Sequence, residues 1–257
     1  MTEIPDSVQE LVEKRERFRR EKKFEQADAI REQIENQGYV VTDTIDDVAV
    51  EKKKDVSKLK PKESFIVLFG SGELAPSGRL VHEYVFKKME KEKISVVLLS
   101  TPAGFQPNVK VVYEEMAEFF CSRLQNFHPK VEVLYINTKD DANNTELLKP
   151  LETADYIFTG AGSPTYTVKQ LKDTLAYKKI LERIREGATL SVASAATAAF
   201  SRYCLPVYEI YKVGEELHWI DGLEIYSEFL ESMTIIPHFN NTEGGTKLDT
   251  SRCWMGE

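Results

Sequence analysis

Thr189-Leu-Ser-Val-Ala-Ser-Ala-Ala-Thr-Ala-Ala-Phe200 is an apolar strand pattern that runs into Ser194 and on, without a polar loop, into helix-prone small residues. That order is the sequence form of a nucleophile elbow. A serine sits on a tight strand-to-helix turn with its hydroxyl lifted clear of both elements. Small side chains are needed on either side because the two backbones approach closely. The same run also suits a buried strand leading into a packed helix with no chemistry at all. Its surroundings decide between the two.

Upstream, apolar runs alternate with helical patterns. Ser64-Phe-Ile-Val-Leu-Phe69 is continuously apolar and stops at Gly70-Ser-Gly72, as a strand buried on both faces would. A helix is predicted over 77–91, a strand over 94–99, a helix over 109–127 and a strand over 131–136. A further helix is predicted over 144–152 and a strand over 156–159. Helices over 166–174 and 178–186 follow, Gly187 ends the second, and the strand over 189–192 delivers Ser194. This alternation predicts an α/β fold with a doubly wound, mostly parallel sheet. Ligands of such sheets bind beyond the carboxyl ends of the strands, where Gly70-Ser-Gly72, Gly160-Ala-Gly162 and the Ser194 turn gather.

Gly70-Ser-Gly-Glu-Leu-Ala lacks the third glycine of a dinucleotide fingerprint, and no acid closes the next strand at the required distance. No cofactor is predicted. Gly160, Ala161 and Gly162 can let backbone N–H groups converge on one point as an oxyanion cradle, although an ordinary βα turn reads the same way. Strands are predicted at 217–220 and 233–236. The second ends at Pro237-His238-Phe239, and a histidine at a strand's carboxyl end stands where a general base would.

With 257 residues, 42% of them hydrophobic, the chain is long enough for one α/β domain plus an appendage. A formal net charge of −8 argues against nonspecific nucleic-acid binding by the whole molecule, but not against a local basic face. Cys121, Cys204 and Cys253 show no ligand-like spacing, so no metal is predicted. Such a sparse set suggests free thiols in a reducing compartment. No apolar run approaches the ~18 residues of a membrane span, and the charged N-terminus lacks a targeting core. The expectation is a cytoplasmic protein without a membrane segment.

Residues 1–54 form a separate pattern. Ile4 or Val8, Leu11, Phe18, Phe24, Ala27, Ile30 and Ile34 can be placed at helical spacing along two apolar stripes, with Asp6 or Ser7 as a first cap and Gly38 as a stop. Residues 39–41 and 48–50 read as a small β-hairpin about Asp46-Asp47. Between the helical stripes, Lys14, Arg15, Arg19, Arg20, Lys22 and Lys23 are either an RNA-contacting face or a solvated one, diluted by Glu16 and Glu21. Residues 55–63 are charged and aperiodic, and read as a linker with the boundary near Pro61.

Two resemblances attach to these residues. Leu11-Val-Glu-Lys-Arg15, Arg19-Arg-Glu-Lys-Lys-Phe-Glu-Gln-Ala-Asp-Ala-Ile-Arg31 and Gln37-Gly-Tyr-Val-Val-Thr-Asp43 are similar, in order and spacing, to the C-terminal tail of cysteinyl-tRNA synthetases. The resemblance implies a tRNA-binding unit with no aminoacylation site. The Phe-Glu-x-Ala run also resembles, more loosely, a helical-hairpin interaction motif of excision-repair proteins.

Residues 64–257 resemble the dipeptidase E and cyanophycinase family of serine peptidases, which share the class I glutamine amidotransferase fold. The likeness is carried by Ile66-Val-Leu-Phe-Gly-Ser-Gly-Glu73, Ile157-Phe-Thr-Gly-Ala-Gly-Ser-Pro164, Val192-Ala-Ser-Ala-Ala-Thr197 and Pro237-His-Phe239. It implies Ser194 as nucleophile, His238 as general base and Glu209 as the acid that orients the histidine. Backbone N–H groups at Ala195 and around Ala161–Gly162 would hold the oxyanion, and the substrate would be a peptide or small amide. Serine in place of cysteine argues against glutamine amidotransfer. The family's elbow glycines are replaced by Val192 and Ala196, and the extra methyl of Ala196 is expected to shift the serine or crowd the substrate. The family's length also implies that this chain is truncated at its C-terminus. A serine hydrolase and a catalytically degenerate ligand- or RNA-associated accessory protein both fit.

Overall fold

A computed structural model describes residues 4–37, 39–43, 48–52, 64–229 and 232–238. The chain divides into two units, residues 1–60 and 61–257. The Gly38 stop, the Asp46-Asp47 turn, the linker over 55–63, Phe239 and Cys253 lie outside the described residues.

In the first unit α1 (Asp6–Arg20) and α2 (Phe24–Asn36) form a helical hairpin. Lys22 turns the chain between them at φ 58°. β1 (Tyr39–Asp43) then pairs antiparallel with β2 (Val48–Lys52). Val8, Ile30, Ile34 and Val41 form a buried cluster with Ile4, Leu11 and Phe18 packed against it, and Ala27 is buried as well. Phe24, the first residue of α2, is 60% exposed and departs from the expected stripe. The N-cap of α1 is Pro5, not Asp6 or Ser7, and no side chain caps it.

The second unit is built on five parallel strands in the order β3-β7-β6-β4-β5. These are β3 (Ile66–Phe69), β4 (Ile94–Leu99), β5 (Pro129–Leu134), β6 (Tyr156–Thr159) and β7 (Thr189–Ala193). From β3 the chain moves across the sheet to β4 and β5 by way of α3 (Pro76–Met89) and α4 (Val109–Arg123). It returns to β6, and α5 (Pro164–Leu171) and α6 (Leu175–Arg185) then carry it back to β7. Crossovers between parallel strands are right-handed, so reversing direction moves the helices to the opposite face. Two core layers follow. Val85, Phe86, Tyr113 and Phe120 cover Val96, Leu98 and Phe158, while Val168, Leu171, Ile180 and Ile184 cover Val97, Leu99, Ile157 and Leu190. The alternation along β4 and β6 is the period of two that a doubly covered sheet needs.

Three expected elements differ. Residues 144–152 form no α-helix: Pro150 and the Asn143-Asn144 pair break the run, leaving 3₁₀ turns at Asp141–Asn143 and Lys149–Thr153. Residues 233–236 form no strand, because their polar contacts go to side chains and single backbone groups rather than to a ladder. At 217–220 only Ile220 joins a strand, as β9 (Ile220–Asp221) against β8 (Tyr203–Cys204).

Candidate active site

β7 ends at Ala193 and α7 (Ala195–Ala199) begins one residue beyond Ser194. Ser194 spans that junction at φ 51°, ψ −114°. A non-glycine residue in so unusual a conformation costs on the order of 1–3 kcal/mol and persists only if its neighbours fix it. They do. Ser194 N–H donates to Phe69 O (3.0 Å) and Thr197 Oγ1 donates to the same oxygen (2.9 Å). Ala196 N–H donates to Gly160 O (3.3 Å). β3 and β6, the strands on either side of β7, therefore both hold the turn. Ala195, Ala196, Ala198 and Ala199 are buried, which accounts for the run of small residues. Ala196 is fully buried in the same core layer as Val168, Leu171, Ile180 and Ile184.

His238 arrives on an irregular stretch. Ile235 N–H donates to Ser201 Oγ (3.0 Å), Arg202 N–H to Met233 O (2.8 Å) and Tyr203 N–H to Thr234 Oγ1 (3.2 Å). These bonds moor the stretch to the chain that leaves α7, and His238 turns inward at φ 57°. Its Nε2 lies 2.6 Å from Ser194 Oγ. With the imidazole proton on Nδ1, the serine hydroxyl donates to Nε2, the arrangement from which a base removes a hydroxyl proton. Gly70 closes the other side: a Cβ there would lie 3.6 Å from His238 N.

The Gly160-Ala161-Gly162 loop stands beside the serine through the Ala196–Gly160 bond. Gly162 is at φ 152°, and a Cβ on it would come within 1.9 Å of Pro102 O. Ser163 N–H donates to that carbonyl (2.8 Å), so the loop is clamped to the end of β4. Ala195 N–H opens α7 and has no intrahelical acceptor before it.

Among the described residues no hydrogen bond joins Glu209 to His238. The Glu209 carboxylate accepts from Thr165 Oγ1 (3.1 Å). A turn of π-helix (Glu209–Val213) carries it along one side of a groove of about 640 Å³. The fifteen-residue offset from Ser194 fixed its distance along the chain, but the π-turn sets which way it faces. Phe105, Tyr166, Lys169, Tyr208 and Lys212 also line that groove, and sequence reading missed them because they come from three separated segments.

Sequence reading also passed over His82, which lies in the apolar stripe of α3 with Val85, Phe86 and Met89. It is fully buried. Its Nε2–H donates to Glu73 O (3.0 Å), and its Nδ1 accepts from Tyr156 OH (2.6 Å). Phe69, Phe120 and Phe158 ring it at 5.0–5.9 Å between centroids, and burial pushes its pKa down to about 4. It stays neutral and holds the loop that follows β3. The buried Cys204 thiol is pushed up to about 12, so it is no rival nucleophile. Among the described residues, no group of three or more His, Cys, Asp or Glu residues is placed to hold a metal ion, and no helix is long and apolar enough to cross a membrane.

In the first unit, Lys14, Arg20, Lys22 and Lys23 are exposed and Arg19 is half-buried, but Arg15 is only 4% exposed and bonds Glu16 Oε1 at 2.6 Å. Position 15 falls on the inward stripe of α1, seven residues after Val8, so its cation is withdrawn from the basic face. Lys23 is itself paired with Glu21 (2.7 Å).

Residues 1–50 match the family model of the cysteinyl-tRNA ligase anticodon binding domain. The cysteine–tRNA ligase of Chlamydia felis (strain Fe/C-56) is 57% identical over 42 residues, which are 16% of this chain and 9% of the ligase. The α/β fold is shared with a peptidase from an acI-B1 Actinobacterium at TM-score 0.55 and 20% identity, over 68% of each chain. A peptidase E candidate from Listeria monocytogenes EGD-e aligns at TM-score 0.41 and 19% identity, over 63% of this chain and 75% of that one.

Proposed function

We propose that residues 61–257 act as a serine hydrolase on a peptide or small amide, and that residues 1–60 attach this activity to tRNA. The observation that carries the reading is the 2.6 Å contact between Ser194 Oγ, on its strained elbow, and His238 Nε2. A serine alkoxide is inaccessible at neutral pH, so the proton must leave as the oxygen attacks. His238 Nε2 takes it while Ser194 Oγ bonds the carbonyl carbon. Ala195 N–H and the backbone N–H groups around Ala161–Gly162 receive the oxyanion, each such donor contributing roughly 3–4 kcal/mol. His238 then gives its proton to the leaving nitrogen. Water, deprotonated by the same imidazole, cleaves the acyl–Ser194 ester and restores the hydroxyl.

For the first unit, the anticodon-binding family match over residues 1–50 supports tRNA as the partner, through Lys14, Arg19, Arg20, Lys22 and Lys23. We assign the protein to the cytoplasm, where its unpaired cysteines Cys121 and Cys204 would persist.

The test is covalent labelling of the full chain with a fluorophosphonate probe. Wild type should label at Ser194 and Ser194→Ala should not, while His238→Ala should slow labelling at least about 10³-fold. An unlabelled wild type would replace the hydrolase with a ligand-binding relative.

A further inference from the structure

The groove that holds Glu209 has a composition of its own. One wall is the start of α5, with Thr165 and Tyr166, and the facing wall is Tyr208 with the π-turn. Phe105 leans on Tyr166 with ring centroids 5.3 Å apart and is still 49% exposed. Lys212 Nζ lies 4.4 Å from the centre of the Tyr208 ring. Three aromatic rings therefore share the space with two ammonium groups, Lys169 and Lys212, and one carboxylate that Thr165 already engages. The wall at Ser163–Thr165 continues from the Gly160–Gly162 loop, whose Gly160 carbonyl is bonded two residues beyond Ser194.

We propose that this groove is a recognition subsite of the hydrolase and that it takes a peptide residue with an aromatic side chain and a free α-carboxylate. The inference rests on the hydrolase reading. Planar rings at the mouth suit a flat apolar side chain, which gains by offset or edge-to-face packing. The groove's formal charge of +1 from Lys169, Lys212 and Glu209 favours an anionic end group over an amine. The bond from Thr165 Oγ1 to Glu209 ties the π-turn to the start of α5.

The test uses full-length Ser194→Ala protein, so that binding is read without turnover, and the dipeptides Ala-Phe, Ala-Tyr, Ala-Ala and Ala-Asp with Ala-Phe amide. Ala-Phe and Ala-Tyr should bind at least about tenfold more tightly than Ala-Ala or Ala-Asp. Amidation should weaken Ala-Phe about fivefold in the parent protein and have no effect once Lys169→Ala and Lys212→Ala are both present, the signature of a direct pairing. Tyr166→Leu should remove the aromatic preference and leave the amidation effect. Equal binding of the four dipeptides, tighter binding of Ala-Asp, or an amidation effect that survives loss of both lysines would overturn the proposal. A wild type that is inert to fluorophosphonate while Ser194→Ala still prefers Ala-Phe would instead remove the hydrolase reading and keep the groove.

Discussion

The two units of this chain are related to known proteins in opposite ways. The helical hairpin shares 57% identity over 42 residues with a tRNA ligase and carries no nucleophile-and-base pair among its described residues. The α/β unit shares only 20% identity with its structural neighbour, yet it holds a serine and a histidine in hydrogen-bonding contact. A binding surface is written in side chains, and its likeness fades as they change. An elbow is written in backbone geometry. Here Val192 and Ala196 flank Ser194, and its φ 51° turn is held because β3 and β6 both grip it.

That contrast predicts separable losses. Ser194→Ala should lower hydrolysis by about 10⁴-fold or more while tRNA affinity stays within twofold. Lys14→Glu with Arg20→Glu should do the reverse. Turnover with a small amide and filter binding of tRNA, measured on the same full-length proteins, check both arms. A charge reversal on α1 that also stops hydrolysis of the small substrate would break the separation.

The next largest effect belongs to the backbone. Gly162→Ala places a methyl against Pro102 O at 1.9 Å, with the carbonyl carbon at 2.2 Å and Ala103 N at 2.8 Å. No flexible side chain can yield there, so the change should cost about 3 kcal/mol or more and displace the candidate oxyanion loop. Urea unfolding should show a lower midpoint. An unchanged midpoint would mean that the loop after β6 is not clamped to β4.

His82 sharpens the comparison through pH. Its pKa is held near 4 in the fold against 6.5 in the unfolded chain, so the unfolded state binds the proton first as pH falls. The neutral, buried form therefore gives its full stability above pH 6.5, and that stability is lost progressively down to about pH 4. A shift of this size corresponds to roughly 3 kcal/mol. His82→Phe removes the proton site and should flatten stability across that window, although it leaves Tyr156 OH and Glu73 O to find other partners. Unfolding free energies at pH 7 and pH 4.5 for both proteins check this, and equal pH slopes would rule it out.

Legibility in the sequence followed the same division. The parallel alternation and the tight strand-to-helix turn at Ser194 could be read, because apolar period and small-residue runs are local signals, whereas His238 is reached through an expected strand that does not form. The expectation for Glu209 rests on the family resemblance and not on a local signal. A π-turn, which leaves no local mark, rotates Glu209 into the groove with Thr165. The strand expected at 233–236 failed for a related reason. Met233, Ile235 and Ile236 give the right pattern, but Ser201 Oγ and Thr234 Oγ1 take the backbone bonds that a ladder would use. His82 was hidden because one polar residue in an apolar stripe looks like a lapse until its partners, nine and seventy-four residues away, are seen.

The smallest expected effect tests the first unit by the same logic of facing. Lys14 and Arg15 are adjacent in sequence and equal in charge, yet α1 turns one outward and the other into the hairpin. If tRNA binds the exposed face, each phosphate-contacting cation contributes just under one unit to the slope of log affinity against log salt. Lys14→Met should lower that slope by about 0.7–0.9 and leave stability within about 0.5 kcal/mol. Arg15→Met should leave the slope unchanged. It removes the 2.6 Å partner of Glu16 and a packed stem, so its effect should fall on the unfolding midpoint instead. Titrations of tRNA at three salt concentrations, paired with urea melts of the same variants, separate the two. A reduced slope for Arg15→Met at unchanged stability would show that the buried guanidinium swings out to meet RNA, and the basic face would then have to be redrawn around it.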